Sequence, residues 1–152
     1  MKITVYTIEK SSKDCYKSIE DELIKMSSKF AEVDQIEIMD KNILKASKLG
    51  ANEAKESYTK AYLPHLKGFN IALDESGETL SSHQFSSFFN GTSNDINFFI
   101  GGAYGFEKQF LSKFDRVVSL SPMTFGHKLA KVVLFEQIFR GLAIKNNHPY
   151  HK

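Results

Sequence analysis

The 152-residue chain is predicted to adopt an α/β fold with a largely parallel sheet, because short apolar segments alternate with longer amphipathic ones. Ile96–Ile100 is an apolar run bounded by turn residues, as expected for a strand buried on both faces. Residues 14–30 carry apolar side chains at spacings of three and four, which predicts a helix that packs on such a sheet. No repeat or linker interrupts residues 1–152, so we expect a single domain.

The first half of the chain is predicted to contain two strands and two helices. The strands are Lys2–Ile8 and 33–38, and the helices are 14–30 and 41–63. Pro64 ends the second helix because proline cannot continue it. Gly50 weakens that helix by roughly 1 kcal/mol relative to alanine, so it is the least well supported of the four elements.

The second half is predicted to continue the alternation. A short helix begins at Ser81 or Ser82, which can cap it, and ends at Gly91. Residues 75–78 have the composition of a turn. The other predicted elements are the strands Gly68–Asp74, Ile96–Ile100 and Arg116–Leu120, a short helix at 107–112, and a final helix at His127–Lys145.

The final helix is apolar nearly all round its circumference, whereas a terminal helix of a small domain normally has a polar outer face. Either the helix threads deep into its own domain, or it packs against a second chain. Dimerisation is the simpler of these two interpretations. A partly exposed helix of this composition would form an apolar patch that soluble monomers usually avoid.

A glycine-rich loop, Gly101-Gly102-x-x-Gly105, directly follows the central strand. Such a loop can bring backbone close to a ligand, although a tight turn with no ligand is an equally good interpretation. Residues 101–152 carry 8 Lys and Arg against 3 Asp and Glu, while residues 1–100 carry 12 against 15. A basic final third is expected if that part of the chain meets phosphates, and an ordinary solvated surface is the alternative.

Several common sites are excluded by motif. The glycine spacing and the following residues do not fit a dinucleotide-binding fingerprint, and neither a P-loop nor a nucleophile elbow occurs. Cys15 is the only cysteine, and His148 and His151 lack two further ligands, so we expect no metal. No apolar run is long enough for a membrane span and no signal-peptide pattern is present, which predicts an intracellular protein.

Three loops follow three predicted strands, after Leu73, at 101–105 and at 120–125. Because ligands bind at the carboxyl ends of strands in open α/β sheets, these loops are expected to line one cleft for an adenosine-like ligand. The tail, residues 147–151, is aromatic and basic, which suits stacking on an unpaired base. A frayed terminus is the alternative interpretation of the tail.

The motifs of the last third make the chain similar to the RlmH family of SPOUT-class methyltransferases. The start of the chain and Leu73-Asp74 match this family as well, and residues 40–65 match it least. The matching motifs are Ile100-Gly101-Gly102-x-x-Gly105, Leu120-Ser121-x-Met123-Thr124-Phe125-x-His127, Glu136-Gln137-x-x-Arg140 and Asn147-His148-Pro149-Tyr150-His151-Lys152.

The resemblance implies a SPOUT-type α/β fold with a C-terminal trefoil knot, and a cytoplasmic homodimer. It also implies S-adenosylmethionine as cofactor and methylation of N3 of pseudouridine 1915 in 23S rRNA of the assembled ribosome. Pro122 stands where relatives often carry a polar residue, so a side-chain contact made there would be lost. The implied cofactor-binding residues are Leu73, Gly101, Gly102, Gly105, Leu120, Ser121, Pro122, Met123, Thr124 and Phe125.

The resemblance further places the reacting base near the basic tail. The implied catalytic residues are Arg140, His148, Tyr150 and His151, with Arg140 holding phosphate or stabilising negative charge on the uracil. The tail of one subunit is expected to complete the site of the other. The competing hypothesis is a non-catalytic ribosome-associated module that keeps the fold and the tail but binds no cofactor.

Overall fold

A computed structural model describes residues 1–91 and 95–152. Within these residues, five parallel strands form one sheet in the order β2-β1-β4-β3-β5. The strands are β1 (Lys2–Ile8), β2 (Glu32–Ile38), β3 (Phe69–Thr79), β4 (Ile96–Ile100) and β5 (Arg116–Ser119). The predicted parallel α/β fold is therefore confirmed, while the trefoil knot stays a prediction because strand order does not report how the chain threads.

Helices connect these strands on both faces of the sheet. Asp14 caps the first helix by accepting from the backbone N–H of Lys17 at 3.1 Å, and Ser81 with Gln84 forms a capping box on the fourth. The helices are α1 (Cys15–Ser27), α2 (Lys41–Leu49), α3 (Ala51–Tyr62), α4 (Ser82–Ser86), α5 (Lys108–Leu111) and α6 (His127–Lys145), with 3₁₀ turns at Leu63–His65 and Ser87–Phe89.

The single helix predicted over residues 41–63 was wrong. Gly50 separates α2 from α3 with φ of 147° and ψ of 179°, a backbone conformation that is essentially restricted to glycine. Asp40 starts α2 by accepting from the N–H of Ile43 at 2.8 Å. The break sets the direction of α3 independently of α2.

The turn predicted over residues 75–78 was also wrong in part, because β3 continues through it to Thr79. The pairing of β3 with β5 shifts register between Leu73 and Glu78, so the intervening residues bulge out of the ladder. A Cβ at Gly77 would lie 2.6 Å from the backbone of Val117, which explains why glycine occupies the bulge. The bulge directs residues 74–76 towards the carboxyl edge of the sheet.

The core lies in two layers, one on each face of the sheet. Alternate strand residues face opposite layers, as Val5 and Tyr6 illustrate on β1. The first layer packs under α1, α4 and α6, and the second under α2, α3 and α5. In the second layer the buried Tyr62 hydroxyl donates to the carbonyl of Ile100 at 2.5 Å, which fixes the end of β4.

Much of α6 is buried within its own chain. Leu134, Phe135, Ile138 and Leu142 are shielded by the sheet and by neighbouring helices, including α1 and α4. The all-round apolar pattern is thus explained by intrachain packing over the second half of the helix. At its first turns Leu129 remains 45% exposed, and the homodimer stays a prediction.

We predict that Gly141→Ala destabilises the fold. A Cβ at Gly141 would lie 2.6 Å from Cε2 of Phe89, a fully buried ring, and 3.3 Å from the backbone Cα of Ser86. Overpacking costs about 1–3 kcal/mol, which outweighs the gain of about 1 kcal/mol in helix propensity. Urea unfolding should show a net loss of up to about 2 kcal/mol in the free energy of unfolding.

The Phe89→Leu background provides the control for this prediction. Removing the ring relieves the clash, so Gly141→Ala should cost less there than in the wild type. An equal cost in both backgrounds would show that the Phe89 contact is not the cause.

Candidate active site

A cleft of about 800 Å³ opens at the carboxyl edge of the sheet, beside the ends of β3, β4 and β5. Residues 73–76, 100–106 and 119–125 form most of its wall, and Lys55 of α3 with the first turns of α6 completes it. The three predicted loops therefore do meet at one cleft. Its volume lies in the range of small-molecule and cofactor sites, roughly 300–1,000 Å³.

Nine of the ten residues predicted to bind a cofactor line this cleft, and Pro122 does not. Pro122 lies on the exposed side of its loop. The departure from the family pattern at Pro122 therefore does not alter the cleft wall. The nine lining residues are Leu73, Gly101, Gly102, Gly105, Leu120, Ser121, Met123, Thr124 and Phe125.

The glycine loop is a tight turn that also forms cleft wall, and its contact with a ligand stays a prediction. The N–H of Gly105 donates to the carbonyl of Gly102 at 2.9 Å, and Gly105 has φ of 78°. A Cβ at Gly101 would lie 3.0 Å from Cα of Gly105, and one at Gly102 would collide with the ring of Tyr58. Side chains at these positions would fill space that the turn needs.

The third loop is held by its own serines. Ser119 donates from its hydroxyl to the carbonyl of Ser121 at 3.0 Å, and the Ser121 hydroxyl accepts from the N–H of Met123 at 3.0 Å. Thr124 reaches across to Glu75 of the first loop at 3.4 Å. Met123 is left 75% exposed at the mouth of the cleft, so an apolar side chain is available there to a ligand or a partner.

A group of charged side chains lies behind the cleft at the start of α6. Nε2 of His127 is 3.0 Å from Oε2 of Glu9, the residue that follows β1. Lys131, one turn further along, contacts the other oxygen of Glu9 and lies 3.2 Å from Oε2 of Glu20 in α1. Lys131 is only 3% exposed and Glu20 1%, so this charge cluster is shielded from water.

The pKa values in this cluster follow from burial and pairing. Burial tends to raise the pKa of Glu9, but hydrogen bonds and charge from His127 and Lys131 outweigh it and lower that pKa. Burial tends to lower the pKa of Lys131, and its contacts with Glu9 and Glu20 raise it instead. At Glu20 burial dominates over the charge of Lys131 and raises the pKa. Lys131 is therefore a fixed positive charge.

The tail residues are gathered around Glu136 of α6. Arg140 donates to Oε1 of Glu136 from Nε at 2.9 Å and from Nη2 at 2.5 Å, and the Tyr150 hydroxyl donates to the same oxygen at 3.1 Å. Nη1 of Arg140 lies 3.1 Å from Nδ1 of His151. Arg140, Tyr150 and His151 are thus brought together, and the tail is packed rather than frayed.

His148 stands apart from this group. Its ring packs edge-on against Phe30 at 5.7 Å and Phe139 at 6.5 Å between ring centres. Its Nδ1 accepts from the N–H of Tyr150 at 3.3 Å. Through these contacts His148 packs the tail against Phe30 and against Phe139 of α6.

The tail and the cleft are separate within one chain. No tail residue lines the cleft, whereas His127 at the other end of α6 does. Residues 127 and 140 are about 20 Å apart along the helix axis, at 1.5 Å per residue. One chain therefore does not bring its own Arg140 to its own cleft.

Sequence reasoning did not name several of the residues that line this cleft, among them Lys55, Tyr104 and His127. Lys55 lines the cleft because of the break between α2 and α3, which no local pattern specifies. Tyr104, 47% exposed on the glycine loop, and His127 also line it, and both lie within motifs already recognised. Their position next to loop residues was the available signal.

Residues 1–91 and 95–152 contain neither a metal-binding cluster nor a helix suited to a membrane. No group of three or more His, Cys, Asp or Glu side chains in these ranges could hold a metal ion. No helix in the same ranges is both long enough and apolar enough to cross a bilayer.

Comparison with known proteins places the chain in a family. Residues 1–151 match the family described as "Predicted SPOUT methyltransferase". A protein of Aliarcobacter butzleri is 53% identical over 152 residues and one of Campylobacter concisus is 50% identical, and each match covers all of both chains. Both relatives are named ribosomal RNA large subunit methyltransferase H.

A solved structure supports the fold alone. A probable methylase family protein from Haemophilus influenzae superposes with a TM-score of 0.55 at 13% identity, covering 99% of this chain and 70% of that one. Together with the sequence matches along the whole chain, these findings show that the protein is a methyltransferase of the SPOUT class and belongs to the RlmH family.

Proposed function

We propose that this methyltransferase uses S-adenosylmethionine to methylate N3 of pseudouridine 1915 in 23S rRNA within the assembled ribosome. The observation that carries the proposal is the cleft at the carboxyl edge of the sheet, formed by the three loops whose motifs the family shares. The names of the relatives, which specify large-subunit ribosomal RNA, support the substrate. A ribosomal substrate would place the protein in the cytoplasm.

The residues of the cleft suit this cofactor. The space at Gly101 and Gly102 is too tight for side chains, so the turn can offer bare backbone to a ligand. Leu73, Leu120 and Phe125 supply apolar surface, while loop N–H and carbonyl groups can read the edge of an adenine. When bound, S-adenosylmethionine supplies an activated methyl group, so the protein has to orient the acceptor nitrogen and handle its proton.

The catalytic roles proposed for the tail require a second chain. Since Arg140 lies about 20 Å from the start of α6, the tail of a partner subunit must reach the cleft if the tail is to act there. Arg140, Tyr150 and His151 are already assembled around Glu136, so they can be presented as one preformed group. We therefore propose a homodimer with two shared sites, each combining one chain's cleft with the other's tail.

Within that shared site, Arg140 would hold phosphate or stabilise negative charge on the uracil. Glu136 fixes Arg140 through two of its five N–H donors, which leaves others for the RNA. Tyr150 lies under the guanidinium, with Cζ of Arg140 4.7 Å from the ring centre. His148 would support this group through the backbone of Tyr150.

We predict that Ser121→Trp abolishes S-adenosylmethionine binding and methyl transfer. Ser121 lines the cleft, so an indole there would occupy the space of the cofactor. Calorimetry should show no binding heat, and transfer of labelled methyl to ribosomes from a deletion strain should fall to background. Ser112→Trp, at an exposed serine outside the cleft, is the matched control and should behave as wild type.

Two results would argue against the proposed function. A wild-type protein that binds no S-adenosylmethionine would support a non-catalytic ribosome-associated module. A protein that binds the cofactor but methylates only other RNA, with no mark at pseudouridine 1915, would replace the proposed substrate.

A second prediction tests whether the site is shared. Arg140→Ala and Ser121→Trp homodimers should each be inactive, because each lacks one half of both sites. Mixing the two variants under conditions that exchange subunits gives dimers with one intact site, so activity should return to about a quarter of the wild-type level.

The complementation assay has its own control, and one result would contradict the shared site. A mixture of Arg140→Ala with an Arg140→Ala Ser121→Trp double variant contains no intact site and should stay inactive. If the first mixture also stays inactive although mass spectrometry shows mixed dimers, the tail does not act across the dimer.

A further inference from the structure

The cleft contains a histidine that the tail-based hypothesis leaves without a role. His127 is the first residue of α6 and lines the cleft. The other four histidines of the chain, at positions 65, 83, 148 and 151, do not line this cleft. His127 is therefore the imidazole that a ligand in the cleft would meet within one chain.

One edge of the His127 ring is held by a carboxylate. Nε2 lies 3.0 Å from Oε2 of Glu9, and both atoms are shielded from water, although the N–H direction is not well aligned with the oxygen. Such catalytic contacts are often poorly aligned before a ligand binds and tighten afterwards. Nδ1 has no hydrogen-bond partner among the described residues. The side chain keeps 27% of its surface exposed, so it is accessible from the cleft.

The carboxylate is in turn held by a buried cation. Oε1 of Glu9 contacts Nζ of Lys131, so the two oxygens of Glu9 are divided between Lys131 and His127. Lys131 also pairs with Glu20 from α1. Lys128, the next residue of α6, pairs with Asp14. Glu9, Lys131 and Glu20 are thus the charges that surround this edge of His127.

The tail histidines lack this arrangement. Nδ1 of His151 faces the guanidinium of Arg140 at 3.1 Å, and Nδ1 of His148 accepts from a backbone N–H at 3.3 Å. Neither ring has a carboxylate against it in the described residues. A histidine that is oriented by a carboxylate and opens on a cleft is the usual arrangement of a general base.

We infer that His127 is the proton acceptor of the reaction and that Glu9 is the residue that positions it. This inference rests on the proposed function. As the N3–H bond of the target base breaks, the proton passes to Nδ1 of His127. N3 uses the released electron pair to take the methyl group from the donor, and the pair of the broken carbon–sulfur bond stays on sulfur. The imidazolium, paired with Glu9, then loses its proton to water.

The test compares His127→Ala and His127→Gln with the wild type on ribosomes that lack the methyl mark. Loss of a general base lowers kcat by about 10²–10⁴-fold, and the Kd for S-adenosylmethionine measured by calorimetry should stay within about twofold. Added imidazole should restore part of the rate in His127→Ala. The pH profile of kcat should differ between the wild type and both variants, because the group that accepts the proton has been removed.

Glu9→Gln tests the positioning role separately. It keeps the shape of the side chain but weakens its hold on the imidazolium, so kcat should fall about tenfold while the KM for ribosomes is unchanged. His65→Ala is the matched control, because His65 lies at the opposite edge of the sheet, where its ring is tilted against that of Tyr6. It should leave kcat and the pH profile as in the wild type.

The possible results separate this inference from the proposed function. A folded His127→Gln enzyme with kcat within threefold of wild type overturns the inference and leaves the proposed function standing. A slow His127→Ala enzyme that imidazole does not restore, and whose pH profile is unchanged, also overturns it and assigns His127 a structural role. A wild-type protein without methyl transfer overturns both.

Discussion

The parallel pairing of β3 with β4 on one side and β5 on the other is the constraint on which the site depends. Leu73 is opposite Ile100 and also opposite Val118, so β4 and β5 end beside the point where the bulge in β3 begins. The loops that follow them must then share one cleft. A slip of one residue would turn the side chains of a whole strand to the other face, so the two-sided core fixes this register. Core packing thereby sets loop geometry.

Where the fold was predictable, the signals were local and strong. The bounds of β1, β4 and α6 agree with the sequence prediction because each has an uninterrupted apolar pattern and clear flanking residues. The helix break at Gly50 could not be predicted in this way. A glycine cost of about 1 kcal/mol marks a weak helix but does not report a φ of 147°, which depends on how α2 and α3 pack. The bulge in β3 likewise depends on contact with β5, a partner that follows it by some forty residues.

The candidate site was predicted as a set of residues rather than as an arrangement. The three loops were correctly expected at one cleft, since strand polarity alone decides that. The resemblance to the RlmH family placed the tail at the same site, but a set of shared residues does not give the distances between them. The rigid length of α6 separates the two groups by about 20 Å in one chain, which only the structure reveals. The contact of His127 with Glu9 joins residues far apart in sequence and was equally invisible there.

The buried charges between α1, β1 and α6 are difficult to explain by stability alone. Replacing a buried ion cluster with apolar residues of similar size is often neutral or stabilising, so the contacts among Glu9, Glu20 and Lys131 are weak evidence for a stabilising role. Glu9, whose pKa is lowered by its partners, is the carboxylate that faces the His127 ring, whereas burial raises the pKa of Glu20. A shielded negative charge beside the His127 imidazole stabilises the protonated ring that forms when the target pseudouridine loses its N3 proton. This stabilisation gives the charge cluster a role in the reaction.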